Sequence, residues 1–74
     1  MVNACVLIRV APGRLEAVVE AVSAVTNVRK AFMVFGRYDV VAFVEAPDCE
    51  TACKTALTIN ALEGVKSTET AIEL

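Results

Sequence analysis

The order of its apolar segments constrains this chain more than any other feature, because turn signals divide its 74 residues into six short runs. Residues 2–10 are apolar and rich in β-branched side chains, and they stop at Ala11-Pro12-Gly13. This pattern predicts a strand followed by a break. Pro12 and Gly13 are then expected to open a helix that ends at Thr26-Asn27. Helical spacing gives its inner face as Leu15, Val18, Val19, Val22 and Val25.

Two further strands follow the first helix and form a predicted hairpin. Residues 28–35 and residues 39–46 are both apolar runs of strand length. Between them lies Gly36-Arg37-Tyr38, a connection short enough to join two antiparallel strands. The chain is therefore expected to turn back on itself near its middle.

A second helix and a last strand complete the pattern. Pro47-Asp48 predicts the start of the helix, with Asp48 as its N-cap, and Glu63-Gly64 predicts its end. Its inner face is expected to comprise Cys49, Ala52, Cys53, Ala56 and Ile59. Residues 65–74 alternate clearly between polar and apolar side chains and predict a strand. The alternation puts Lys66, Thr68, Thr70, Ile72 and Leu74 on one face.

The resulting order, β-α-β-β-α-β, predicts an α+β fold of the ferredoxin-like type. Two β-α-β units share one antiparallel sheet, with the first and third strands central and the second and fourth at the edges. Both crossovers are right-handed, so both helices lie on the same face of the sheet. We expect residues 1–74 to form one domain.

The two central strands carry apolar side chains on both faces. The first strand has Val2, Ala4, Val6, Ile8 and Val10 on one face and Asn3, Cys5, Leu7 and Arg9 on the other. The third strand has Val40, Ala42 and Val44 on one face and Val41, Phe43 and Glu45 on the other. Two helices can cover only one face of a sheet, so something else must cover the other. A second copy of the chain, packed sheet to sheet, is the economical solution. The alternative is a shallow exposed patch, which is uncommon in soluble monomers.

The composition excludes several classes of function. The formal net charge is −2 and only 5% of residues are aromatic, so the chain lacks the positive surface that nucleic acids require. Its apolar runs are interrupted well before a membrane-spanning length, and Arg9 breaks the first of them. We predict a cytoplasmic protein without a signal peptide, a membrane segment or a direct nucleic-acid partner.

Cysteine and histidine usage argues against a disulfide framework, a metal site or a catalytic site. The three cysteines, Cys5, Cys49 and Cys53, have no framework spacing, and no histidine is present to complete a zinc or Cys–His site. The cysteines are therefore interpreted as small apolar side chains in the interior. Asp39 and Glu45 lie roughly 20 Å apart along one strand, too far for paired acid–base work. Neither catalytic residues nor a cofactor are predicted, and we expect no enzyme.

The hairpin is the segment richest in binding chemistry. Gly36 can expose backbone amides to a ligand, Arg37 can hold a carboxylate in a two-pronged contact, and Asp39 can accept from an ammonium group. Together these groups suit an α-amino acid, which carries both charges. The alternative is an ordinary turn, with Arg37 and Tyr38 as solvated side chains.

The last strand is rich in hydroxyl groups. Ser67, Thr68 and Thr70 fall within four residues and could bind a polar ligand at an interface. They are also ordinary residues for an edge strand, so both interpretations stay open.

Three motifs in order resemble a known family. They are the Pro12-Gly13 helix start, the Gly36-Arg37-Tyr38-Asp39 hairpin followed by an apolar strand, and the run Gly64-Val65-Lys66-Ser67-Thr68-Glu69-Thr70. Over essentially the whole chain they are similar to the effector-binding (RAM) domain of the leucine-responsive Lrp/AsnC regulators. The chain starts directly at the first strand, without the helix-turn-helix domain that usually precedes this one, so we expect a stand-alone member.

The resemblance implies an assembly and a ligand. Such domains pair sheet to sheet into an α/β barrel dimer, and the dimers form larger rings, often octamers or decamers, that bind amino acids between dimers. By match to the motif, Gly36, Arg37, Tyr38 and Asp39 would form the effector loop, with Ser67, Thr68 and Thr70 as further candidates. Full-length Lrp/AsnC regulators are possible partners. Two other classes stay open: a small ferredoxin-like monooxygenase or isomerase, and a structural adaptor without a ligand.

Overall fold

The computed structural model describes residues 1–73 and has the predicted order of elements. The strands are β1 (Val2–Val10), β2 (Val28–Met33), β3 (Val40–Ala46) and β4 (Val65–Ile72), and the helices are α1 (Leu15–Ser23) and α2 (Cys49–Asn60). The strands form one antiparallel sheet in the order β2-β3-β1-β4, so the ferredoxin-like fold is confirmed. Leu74, expected at the end of the last strand, lies outside the described residues.

The core lies between the sheet and the two helices. Ala4, Val6 and Ile8 alternate along β1 and point toward the helices, as predicted. On β3 the buried side chains are Val40, Ala42, Val44 and Ala46, and the helices contribute Val18, Val22, Ala52, Ala56 and Ile59. This side of the sheet is called the helix-covered face below. Its apolar side chains account for nearly all the fully buried surface, which is the main source of stability in a domain this small.

The first helix begins later than predicted. Pro12 and Gly13 form a turn, in which the Arg14 N–H donates to the Ala11 carbonyl, and α1 starts only at Leu15. Gly13 has φ of +81°, a left-handed conformation that no helix interior contains. The expectation that Pro12-Gly13 opens the helix is therefore wrong by one turn. The helix also ends earlier, at Ser23, where the Ala24 and Val25 N–H groups bond to the carbonyls of Ala21 and Val22, three residues back. Asn27, with φ of +77°, then leads the chain into β2.

Gly64 joins the end of the α2 loop to β4 at a crowded point. Its carbonyl accepts the Ala11 N–H at 2.8 Å, and its φ is +92°. A Cβ atom at this position would lie 2.9 Å from Cγ2 of Val18, a fully buried side chain. Only glycine satisfies both the backbone angle and the close packing here.

The second helix starts as predicted but faces the sheet differently. Asp48 is its N-cap, and its side chain accepts the Thr51 N–H at 2.7 Å, a hydrogen bond that lowers the pKa of the carboxyl. Its buried residues are Ala52, Thr55, Ala56 and Ile59. Thr55 tolerates burial because its hydroxyl donates to the Thr51 carbonyl.

The cysteines are not in the interior, so that prediction is wrong. Cys49 and Cys53 are exposed and Cys5 is half-buried. Cys49 lies in the first turn of α2, before the helix reaches the sheet, and Cys53 lies one position off the buried stripe. Partial burial raises the pKa of the Cys5 thiol.

The other side of the sheet, called the open face below, is not covered by either helix. Strand pairing places one apolar cluster at its centre: Cys5, Leu7, Phe32, Val41, Phe43 and Ala71. The rings of Phe32 and Phe43 lie 5.7 Å apart in a tilted arrangement, and Phe43 is 44% exposed. Apolar side chains on both faces of the central strands are thus confirmed. None of the helices in residues 1–73 is long and apolar enough to span a membrane.

Candidate functional site

The connection between β2 and β3 forms a closed loop at one end of the sheet. The Val34 N–H donates to the Asp39 carbonyl at 3.0 Å, and the Asp39 N–H donates to the Ile8 carbonyl at 2.9 Å. Gly36, at the tip, has φ of +136° and open space around its Cα. The tip also exposes Phe35 completely. The loop therefore projects from a base that is tied to the centre of the sheet.

Asp39 fixes that base. Its Oδ2 accepts the N–H of Val10 at 2.8 Å, in a partly buried position. The ladder between β1 and β3 ends at the pair Ile8–Val40, so this carboxylate replaces the backbone partner that Val10 would otherwise lack. One carboxylate oxygen of Asp39, the residue predicted to bind an ammonium group, is thus already hydrogen-bonded to the backbone.

Tyr38 reaches from the hairpin to the far edge of the sheet. Its hydroxyl donates to Oε1 of Glu69 on β4, so the contact bridges the width of β1. The hydrogen bond to Glu69, with some desolvation, raises the pKa of Tyr38, although the guanidinium groups of Arg37 and Arg9 lower it in part. The phenol is therefore a proton donor at neutral pH. The Glu69 carboxylate contacts the phenol directly, and the guanidinium groups of Arg37 and Arg9 lie within electrostatic range of it.

The predicted hydroxyl residues of β4 lie on two different faces. Ser67 is opposite Arg9 on the open face, on the same side as the hairpin contact. Thr68 and Thr70 pair with Ile8 and Val6 on the helix-covered face, and Thr68 donates to Oδ1 of Asn60 at 3.0 Å. Within one subunit the structure therefore separates Thr68 and Thr70 from the hairpin.

Thr68 and Thr70 line a groove between α2 and β4. Its volume is about 540 Å³, and its walls also include Cys53, Ala56, Leu57, Asn60 and Ile72. Cys53 is the only titratable group in this lining, so the groove offers an amide and two hydroxyls but no acid–base pair. Within residues 1–73 no cluster of three or more Cys, Asp or Glu side chains could hold a metal ion.

Glu69 and Arg9 are the residues of this region that were not predicted. The polarity of β4 indicates its hydroxyls as ligand-binding groups and does not single out the Glu69 carboxylate between them. Strict alternation along β4 places Glu69 on the same face as Ser67, and that was the available signal. Their convergence with Tyr38 depends on long-range pairing, which periodicity does not reveal.

A family model identifies the chain. The model for the Lrp/AsnC ligand-binding domain matches residues 3–74. The chain belongs to this family. No curated protein sequence matches it significantly. The matched model describes a ligand-binding domain of these regulators.

Several solved structures share the fold. The protein TTHA0845 from Thermus thermophilus is 37% identical, with a TM-score of 0.94, and the match covers 100% of this chain and 94% of that one. The hypothetical protein PHS023 from Pyrococcus horikoshii is 28% identical, with a TM-score of 0.90, and the coverage is 100% and 90%. AsnC of E. coli is 19% identical, with a TM-score of 0.88, over 99% of this chain and 50% of that protein.

Proposed function

We propose that this Lrp/AsnC domain binds an α-amino acid at the Gly36-Arg37-Tyr38-Asp39 hairpin and acts as a regulatory module. The hairpin carries the proposal, because its base is fixed by Asp39 while its tip leaves backbone and charged groups accessible. A fixed loop loses little conformational entropy when it binds a ligand. A transcriptional regulator from Neisseria meningitidis with the same fold is described as a complex with L-methionine.

The charges near the hairpin match those of a zwitterion. Among residues 1–73 the ion pairs are Arg14–Glu63, Arg29–Glu45 and Lys54–Glu50. Arg37 belongs to none of them, and it is exposed beside Gly36. A guanidinium in this position can take a ligand carboxylate through two parallel hydrogen bonds.

The proposed working form is a homo-oligomer. The apolar centre of the open face supports packing against the same face of a second copy, which gives an α/β barrel dimer. Dimers would assemble further, into an octamer or decamer, with amino acids bound between them. A ligand that contacts two dimers favours the assembled state by mass action. Thr68 and Thr70 of one copy would then complete the hairpin site of another.

The regulatory partner would be a full-length Lrp/AsnC regulator. The matched fold makes up about half of the longer E. coli AsnC chain, which supports this proposal. Mixed assembly, or competition for the effector, would link the amino acid to that partner. Both routes would use only the hairpin, the open face and the groove between α2 and β4.

Isothermal titration with each of the twenty amino acids tests the proposal. We expect at least one to release or absorb heat with a dissociation constant in the millimolar range or tighter. The single tyrosine, in a chain without tryptophan, gives a second readout, because its fluorescence reports only on the hairpin. A stable oligomer that binds none of the twenty at millimolar concentration would contradict the proposal and favour a structural adaptor.

A further inference from the structure

The acidic residue of the hairpin is only partly available to a ligand. Oδ2 of Asp39 already accepts the Val10 N–H at 2.8 Å, and the side chain is half-buried. An ammonium can therefore use only Oδ1 of Asp39 unless the Val10 N–H loses its acceptor. An ammonium has three N–H donors, so a second carboxylate nearby would supply acceptors that Asp39 alone does not.

Glu69 is such a carboxylate. It is exposed on the open face of the edge strand β4, outside the apolar centre that packs in the proposed dimer, and Tyr38 donates to its Oε1, which holds the group beside the hairpin. In residues 1–73 no ion pair includes Glu69, so its charge is not neutralised by a fixed cation. Its second oxygen has no hydrogen-bond donor among the described side chains.

The neighbouring charges give a bound zwitterion one orientation. Arg37 lies on the hairpin and Arg9 lies near Glu69 on the adjacent strand β1, and both are close enough to act on the Tyr38 phenol. A ligand carboxylate is attracted to the guanidinium groups and repelled by Glu69. A ligand ammonium has the opposite preferences, so the two ends of an amino acid are distinguished.

We propose that Glu69 binds the ammonium group of the amino acid, that Tyr38 positions Glu69 for this contact, and that the pair rejects carboxylic acids that lack the amine. The inference rests on the proposed function and adds the residue that selects amino acids as a class. Asp39 then has a structural role, which is to hold the hairpin on β1.

The decisive variant is Glu69→Gln. Glutamine keeps an oxygen that can accept from Tyr38 but removes the charge. Titrations use the tightest-binding standard amino acid and the carboxylic acid that lacks its amino group. We expect E69Q to weaken amino-acid binding about 10- to 100-fold, the range of a lost charge-assisted hydrogen bond. Binding of the deaminated acid should stay the same or improve, since a repulsive charge has gone.

Glu73→Gln is the matched control. Glu73 is also an exposed carboxylate just beyond β4, and it also accepts one side-chain hydrogen bond, from Asn3. It lies at the opposite end of β4 from the hairpin. E73Q should therefore leave both ligands unaffected while it makes the same change in net charge.

Tyr38→Phe and Asp39→Asn complete the test. Y38F keeps the charge of Glu69 but removes the hydrogen bond that holds its side chain. We therefore expect weaker amino-acid binding, while the preference for the amino acid over the deaminated acid is partly retained. Ultraviolet titration of the single tyrosine should show the pKa of Tyr38 falling toward its ordinary value in E69Q, which verifies the contact. D39N keeps an acceptor for Val10 and should retain the preference for the amine.

The outcomes separate this inference from the proposed function. Equal amino-acid affinity in E69Q and the parent chain overturns the role of Glu69 while amino-acid binding stands. Loss of the preference in D39N rather than in E69Q assigns the ammonium to Asp39 and also overturns it. Absence of binding by every amino acid to the parent chain refutes the proposed function, and the role of Glu69 with it.

Discussion

At the end of β1 the N–H of Val10 has no backbone partner on β3, because that ladder stops at Ile8–Val40. The carboxylate of Asp39 supplies the missing acceptor. Replacing Asp39 with alanine should leave this partly buried N–H unpaired and lower the free energy of unfolding by about 1–3 kcal/mol. Urea denaturation measures the loss.

Asparagine at position 39 is the matched comparison, since its side-chain oxygen can accept the same N–H. We expect D39N to lose much less stability than D39A. Equal losses in the two variants would show that the charge of Asp39, rather than its hydrogen bond to Val10, stabilises the hairpin base.

At the scale of elements, the packing of α1 against the loop before β4 depends on one missing side chain. Gly64 has φ of +92°, and a Cβ there would lie 2.9 Å from Cγ2 of Val18. Gly13 has a similar φ of +81°, but nothing lies within 4 Å of its Cβ position. The two glycines therefore share backbone strain and differ only in packing.

Substitution of each glycine by alanine separates these two effects. Both variants carry the left-handed penalty of roughly 1–2 kcal/mol. G64A should lose about 1–3 kcal/mol more than G13A, because Val18 is fully buried and cannot move aside without disturbing the core. Thermal or urea unfolding of the two variants tests this difference, and equal stabilities would show that the loop yields instead of the helix.

The elements themselves were predictable because hydrophobic periodicity follows directly from which face is covered. The alternation of β1 and the N-cap at Asp48 gave correct elements and faces from the sequence. The buried face of α2 was predicted wrongly: it contains Thr55 instead of Cys49 and Cys53. Polarity alone does not show that the hydroxyl of Thr55 is satisfied by a hydrogen bond within its own helix. Polar residues whose partners are local can occupy a core position.

The candidate site was predictable only in part, for a related reason. The hairpin is a local feature, and its glycine and charges are adjacent in the sequence. The contacts Asp39–Val10 and Tyr38–Glu69 join residues that only the sheet brings together. Both contacts therefore depend on the register of the strands. A shift of one residue in the pairing would turn these side chains to the other face of the sheet and break the contacts.

At the scale of the whole molecule, the open face is an apolar surface that nothing within residues 1–73 of the single chain covers. Its centre is apolar, whereas the core on the helix-covered face does not depend on it. A charge placed at Phe43 should thus break a dimer without unfolding the subunit. An unpaired charge between two sheets costs more than the ~1–3 kcal/mol of a neutral polar group, so F43E should raise the dimer dissociation constant at least about 100-fold.

Leu57→Glu is the control, because Leu57 is also an exposed apolar residue, at 68%, but lies in the groove between α2 and β4. Sedimentation equilibrium should show F43E as a monomer and L57E still at least dimeric, with circular dichroism unchanged in both. A dimer that survives F43E would place the interface elsewhere and leave the open face without a partner. A monomer in L57E but not in F43E would locate the primary interface in the groove, because each substitution charges only its own surface.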